Sequence, residues 1–219
     1  MWKFFEEALS GIFFLLIGLA IITDEFSVDI FFASVIAIPV SLSSDPPKFL
    51  TVRDRRFKEW IFVTGGCRKK EVSNPIYCAL RELDEETRGV VNLRNVSYNY
   101  FNFRVRNRTP NELLRDRERG VEVVSVYHVY VIFFNLDESS QRHMIERFNF
   151  EKLKTDNRKR SNMSIKRTHD ENDFMSFDTL QEFIQKPRWD LITNNVLHNP
   201  EFKKALDSSK CQVFNMTKI

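Results

Sequence analysis

From Gly65 to Gly89 the chain reads GGCRKKEVSNPIYCALRELDEETRG, and few folds accommodate that stretch. The double glycine closes an apolar run, EWIFVTGG, that reads as a strand, so a tight loop must follow it. Asn74 stands where a helix cap is expected, and Pro75 suits the first helical position, where no amide hydrogen is needed. Ile76, Ala79, Leu80 and Leu83 recur at helical spacing as an apolar stripe, and Gly89 stands where the helix would stop. Arg81, Glu82, Glu85 and Glu86 are left for the other side. Carboxylates three and four residues apart sit side by side on a helix and repel one another. A divalent cation is the natural way to offset that repulsion; an ordinary solvated acidic face is the alternative.

The flanking sequence sorts into strands and helices. DIFFASVIAIPV, Asp29 to Val40, reads as a buried strand, SLSSDPP as a turn and KFLTVRD as a short strand. After the glutamate helix, VSYNYFNFRV and VEVVSVYHVYVIFF read as strands, separated by an arginine-rich insertion from Arg104 to Arg119. ESSQRHMIERFNFEKLK reads as a helix running into a basic loop. DENDFMSFDTLQEFIQ reads as a strand and then a helix beginning near Asp178, and RWDLITNNVLHNPEFKKAL as a helical tail broken at Pro200. A mixed sheet sandwiched between helices, an α/β class, is the economical architecture.

Composition narrows what such a chain does. The net charge is only +3, but Arg142 to His169 holds nine Lys/Arg against three Asp/Glu. That asymmetry points to an anionic partner, with a solvated surface as the alternative. Three cysteines, Cys67, Cys78 and Cys211, without a CxxC pair suit a reducing compartment. GIFFLLIGLAII, Gly11 to Ile22, is twelve residues long and bracketed by acidic pairs. A membrane-spanning helix takes about 20 residues, so the segment reads as a buried core element without stable membrane insertion.

The glycine-to-glutamate stretch resembles the Nudix box, G-x5-E-x7-R-E-U-x-E-E-x-G-U, with U a bulky aliphatic. The matching residues are Gly65, Glu71, Arg81, Glu82, Leu83, Glu85, Glu86 and Gly89. The likeness in element order covers Asp29 to Gln185; the specific motif covers Gly65 to Val90. Nine residues rather than seven separate Glu71 from Arg81, two rather than one separate Glu86 from Gly89, and Thr64 replaces the proline that usually precedes the glycines. The box is similar to that of poxviral decapping enzymes. The whole chain resembles the baculoviral Nudix proteins called ADP-ribose pyrophosphatases, which implies a viral protein of the host cytosol or nucleus.

The resemblance implies a Nudix fold at 29–185; the residues themselves read as an apolar N-terminal extension at 1–28 packed on the core and a C-terminal helical tail at 186–219. The resemblance also implies magnesium or manganese as cofactor, with Glu82 and Glu86 as core ligands, Glu85 supporting them and one glutamate acting as base. Arg81 and Glu71 would orient the loop, and Gly65 and Gly66 would let its backbone approach the substrate. Nudix enzymes often bring another acid from a late loop, and Glu171 in HDENDF is the candidate, against ordinary loop acids. His128 reads as a core histidine and Cys67 as a neutral loop residue with no partner in view.

Two substrates follow from the resemblance, and DNA is not among them. One is the 5′ cap of RNA, favoured by the basic segments and by aromatics such as Trp60, Tyr98, Tyr100 and Tyr127 that would stack on a base, though a core role is the alternative. The other is ADP-ribose, a nucleotide sugar. Enzymes for it commonly carry a proline downstream of the box, where Val105 stands here. A non-catalytic Nudix binding module is the third reading, disfavoured by the retained glutamates.

Overall fold

The structure, a computed structural model, describes residues 28–93, 95–106, 118, 121–161, 164 and 170–215. The apolar segment from Gly11 to Ile22, and with it the proposed packing of the N-terminal extension, lies outside the described residues, as does most of the arginine-rich insertion. The chain divides into two compact units, 1–33 with 104–126 and 34–103 with 127–219. The described part of the first consists chiefly of outer ends of strands. The second carries the core and the candidate site.

The strands are β1 (Val28–Ser41), β2 (Lys48–Asp54), β3 (Trp60–Ile61), β4 (Val63–Gly66), β5 (Asn95–Val105), β6 (Val121–Phe134), β7 (Asn172–Thr179) and β8 (Gln212–Asn215). They join one sheet in the order β3-β2-β1-β6-β5-β8, with β4 also on β1 and β7 also on β2. The β1–β2, β1–β4, β2–β7 and β5–β8 pairings are antiparallel, and one parallel bridge joins Trp60 to Arg188. Val35, Ile36, Ala37 and Ile38 are all fully buried, so this part of β1 has no solvent face. Consecutive buried residues point to opposite faces of a strand, and therefore both faces are covered. On one side, Val35 and Ala37 join Ala79, Leu80 and Leu83 of the helix α1 (Ile76–Glu86) in the main core. A separate aromatic contact sets Phe62 against Phe183 of α3 (Leu180–Gln185), with ring centroids 4.7 Å apart.

The helix α2 spans Glu138–Arg160, so the segment read as the start of a basic loop is helical. Asp137 caps it by accepting from the Ser140 amide at 2.8 Å, and Arg158, Lys159 and Arg160 occupy the last turn, where cations suit the helix dipole. The capping of α3 also falls one residue beyond expectation, on Thr179, which exchanges hydrogen bonds with Glu182.

The tail is not wholly helical. A short helix, α4 (Asp190–Ile192), widens into a π-type turn at Thr193–Leu197, and α5 (Pro200–Ala205) starts at the expected break, with Asn199 capping it. Beyond it β8 returns to pair with β5, Val96 opposite Phe214. Sequence reading missed this strand because only four residues form it and its Val213 is exposed, leaving no buried run to see. Among the described residues no helix is long and apolar enough to cross a membrane.

Candidate active site

The two glycines are placed by sheet register, Gly65 opposite Val35 and Gly66 opposite Ser34 on β1. They serve different ends. A Cβ at Gly65 would overlap the carboxyl group of Glu82, whereas one at Gly66 would meet open space. Gly65 is therefore bare so that Glu82 can lie against β4; Gly66 instead gives its carbonyl to Arg81 Nη2 at 3.0 Å.

Helix α1 starts differently from expectation. Pro75 occupies the cap position and Asn74 makes no side-chain cap; its carbonyl accepts from the Tyr77 amide at 3.2 Å. The apolar stripe packs as anticipated, with Ile76, Ala79, Leu80 and Leu83 all buried. At the far end Arg88 (φ 62°) and Gly89 (φ 75°) both take the left-handed conformation, so two residues share the turn, and the Gly89 amide donates to Asp84 O at 2.7 Å. Arg88 Nη2 donates to the Asn172 carbonyl at 2.6 Å, tying the helix end to the start of β7.

One end of the site is an arginine clamp. Arg81 Nε and Nη2 bind the two oxygens of Glu71 at 2.8 and 2.9 Å, a bidentate pair, despite the longer intervening segment. The Arg68 amide adds a third bond to Glu71 at 2.9 Å. Arg81 Nη1 reaches Glu82 Oε1 at 2.7 Å and Glu85 Oε2 at 2.9 Å, and Arg68 Nη2 holds Glu85 Oε1 at 2.9 Å. Burial alone would push Glu71 up, but Arg81 and the Arg68 amide outweigh it and hold its carboxyl below the usual range.

The other end is short of positive charge. Glu86 is buried, and its side chain accepts from Asn172 Nδ2 at 3.0 Å and from the Thr64 amide. Desolvation pushes its pKa well up, these two donors oppose the shift, and Glu82 and Glu171 push it further. Glu82 is likewise raised, first by burial, then by Glu85 and Glu171, against the pull of Arg81. The structure thus brings Glu82, Glu86 and the exposed Glu171 into mutual repulsion. The neighbouring acids go elsewhere: Asp170 pairs with Arg55 and Lys159, and Asp173 with Arg53 at 2.9 Å and Lys58 at 2.7 Å.

A strand ending in glycines, a helix with clustered carboxylates and an arginine–glutamate clamp between them sit within residues 32–167, which match the model of the NUDIX domain. The chain belongs to the Nudix family. Pyrophosphate hydrolysis is the class of chemistry this Nudix enzyme performs. Solved structures similar to it include the NUDIX domain of Shewanella oneidensis NrtR complexed with ADP ribose, at 14% identity, covering 73% of this chain and 79% of that one, with a TM-score of 0.42. A NUDIX hydrolase of Listeria monocytogenes matches at 15% identity over 72% of this chain and 84% of that one, with a TM-score of 0.39. A C. elegans Ap4A hydrolase matches at 11% identity over 71% and 84%, with a TM-score of 0.37. No curated protein sequence matches this Nudix chain.

Nudix hydrolases work with divalent metals such as magnesium or manganese. The donors here fit such an ion: hard carboxylate oxygens at Glu82, Glu86 and Glu171, one of them buried with uncompensated charge. Among the described residues no three His, Cys, Asp or Glu side chains form a ready-made cation cage. Magnesium commonly takes one or two carboxylates and completes its shell with substrate phosphate and water. Both oxygens of Glu85 already accept from arginines, which leaves Glu82 and Glu86 the better placed ligands.

Other expectations shift. Cys67 has a partner after all, since its thiol shares a hydrogen bond with Cys78 on α1. His128 is half-buried and satisfied, its Nδ1 2.8 Å from the Tyr100 hydroxyl. Trp60 lies under Lys186 Nζ at 3.6 Å, Tyr98 packs edge-on to Tyr130, and Tyr127 stacks on Phe103. These aromatics are engaged within the fold. Asn172 and Arg68 were not anticipated as site residues; the only signals were position, Asn172 next to Glu171 and Arg68 inside the glycine loop.

Proposed function

We propose that this Nudix hydrolase removes the 5′ cap of mRNA, cleaving its diphosphate linkage and releasing methylated guanosine diphosphate. The observation that carries the substrate choice is α2, from which Arg142, Arg147, Arg158 and Arg160 project into solvent. Lysine and arginine surfaces bind phosphate backbones irrespective of sequence. This helix adjoins the site: Lys152 Nζ donates to the Asp173 carbonyl at 3.0 Å and Thr155 Oγ1 accepts from Arg88 at 3.2 Å, next to the Asn172 that holds Glu86. Similarity of the box to poxviral decapping enzymes supports the same substrate, and a viral protein acting in host cytosol follows from it.

In this reading Arg81 fixes the glycine loop through Glu71 and the Gly66 carbonyl, so that the backbone facing the substrate is rigid. Asn172 and the Thr64 amide aim Glu86, and the bare Gly65 lets Glu82 lie beside it. A divalent cation held by Glu82 and Glu86, with Glu171 alongside, supplies charge screening of the phosphates and acidification of a water. Glu85, saturated by Arg68 and Arg81, supports the helix face and does not serve as base.

The test is incubation of the protein and its Glu86→Gln variant, with magnesium or manganese, on cap-labelled RNA and separately on ADP-ribose. Release of methylated guanosine diphosphate by the wild type alone is expected. Cleavage of ADP-ribose with RNA untouched would make this a metabolite hydrolase, and inactivity of the wild type on both would overturn both substrate assignments.

A further inference from the structure

Beside the carboxylates lies a cavity of about 560 Å³ lined by Asp54, Phe57, Glu59, Ile61, Thr64 and Trp189. Its size falls in the range of ligand pockets. It adjoins the reacting end directly, because Thr64, one of its walls, is the residue whose amide donates to Glu86. The turn between β2 and β3, which supplies Asp54, Phe57 and Glu59, is likewise tied to the late acid: the Arg55 amide donates to the Glu171 carbonyl at 2.8 Å. Trp189, the cap residue of α4, lies outside the 32–167 match, so the tail contributes a wall that the family domain does not.

The lining has a distinct chemistry. Phe57 is 64% exposed, far more than a core phenylalanine, and Arg56 lies 5.0 Å from the centroid on one face, leaving the other for a ligand. Trp189 is half-buried and supplies a second ring. Asp54 anchors the turn, its Oδ1 accepting from the Arg56 and Phe57 amides at 2.7 and 2.5 Å. The carboxylate of Glu59 has no hydrogen-bond or ion-pair partner among the described residues. Two aromatic rings and two carboxylates together favour a flat, electron-poor ligand carrying N–H donors.

We infer that this cavity holds the methylated guanine of the cap, stacked on Phe57 and Trp189, with Glu59 accepting from its N1–H and N2–H donors. The inference rests on the capped-RNA reading and deepens it. Methylation at N7 gives the base a positive charge, which strengthens its stacking on an aromatic face and its attraction to Glu59 and Asp54. Guanine offers two adjacent donors on its Watson–Crick edge, matching a carboxylate. Adenine offers one donor beside an acceptor, and that acceptor would meet a carboxylate oxygen head-on. The cavity therefore selects against ADP-ribose. It also supplies the stacking role that Trp60, Tyr98 and Tyr127, engaged within the fold, do not.

The test is calorimetric titration of 7-methylguanosine diphosphate, guanosine diphosphate and ADP-ribose into the full chain without added metal. The variants are Glu59→Gln, Trp189→Ala and Trp189→Phe. Wild type is expected to prefer the methylated nucleotide over the unmethylated one by about tenfold. Glu59→Gln should weaken guanine nucleotides about tenfold and leave ADP-ribose unchanged. Trp189→Ala should weaken the methylated nucleotide by a similar factor, and Trp189→Phe should restore most of it. Equal binding of all three nucleotides, or Glu59→Gln binding like wild type, would overturn the assignment; Glu59→Gln is nearly isosteric, so it decides even if Trp189→Ala does not fold. Cap cleavage on RNA separates the two readings. If the wild type cleaves and the KM of Glu59→Gln is unchanged, the cavity assignment falls and decapping stands. If the wild type binds 7-methylguanosine diphosphate selectively but cleaves no capped RNA, decapping falls and the cavity assignment stands.

Discussion

Glu71 and Glu86 are almost equally buried, at 6% and 5% exposure, yet their surroundings are opposite. Glu71 accepts two bonds from the Arg81 guanidinium and one from the Arg68 amide, so its charge is matched. Glu86 has Asn172 and the Thr64 amide, both neutral, and faces Glu82 and Glu171. Burying a charge without a counter-charge is costly. The difference shows that the protein itself matches the charge in one half of the motif, through Arg81 and Arg68, and leaves the carboxylates of the other half without such a match; in the proposed function that second half is where a cation would bind.

Substitutions at the two ends should have unequal effects. The largest effect is expected at Glu86: Glu86→Gln, or a chelator added to the wild type, should lower kcat by about a thousandfold or more in a steady-state assay. Gly65→Ala comes next. Its methyl group would displace the Glu82 carboxyl, and a misplacement of about 1 Å costs on the order of a hundredfold in kcat. Asn172→Ala removes the donor that aims Glu86, and a loss of about 10- to 100-fold in metal affinity is expected by titration, with the fold retained.

Stability without metal should show the contrast with opposite signs. Glu71→Gln leaves the Arg81 guanidinium short of its partner, and a loss of about 3 kcal/mol is expected in urea unfolding. Glu86→Gln removes an uncompensated buried charge and should be neutral or stabilising. The pH dependence follows from the shifts. Glu71 has a folded pKa below its unfolded one, so its contribution is present above about pH 4.3 and is lost as pH falls through the folded value. Glu86 has a folded pKa above its unfolded one, so its contribution is complete below about pH 4.3 and is lost as pH rises through the folded value. Unfolding curves at several pH values should therefore show the Glu71→Gln deficit shrinking in acid. The Glu86→Gln advantage should grow toward neutral pH.

Much of this was legible in the sequence where local rules act alone. The strands Lys48–Asp54 and Val121–Phe134 and the glutamate helix carry buried runs or a helical stripe that the chain displays openly. The glycine loop was legible as a loop, but the reason Gly65 must be glycine is a long-range approach by Glu82. Asn172, Arg68 and the Thr64 amide were not legible, because what makes each matter is a partner distant in sequence or a backbone group with no letter of its own. Asn74 as a cap missed by one residue, because Pro75 takes the cap position and the helix starts at Ile76; β8 at the end of the tail was missed because its pairing with β5 overrode a weak local signal.

The most direct test is a calorimetric titration of manganese into the wild type, Glu71→Gln and Glu86→Gln near neutral pH. If the unmatched end takes the cation, the wild type and folded Glu71→Gln bind it and Glu86→Gln binds at least tenfold more weakly. Manganese binding by Glu86→Gln with the wild-type affinity would contradict the division of the site into a finished half and a cation-dependent half.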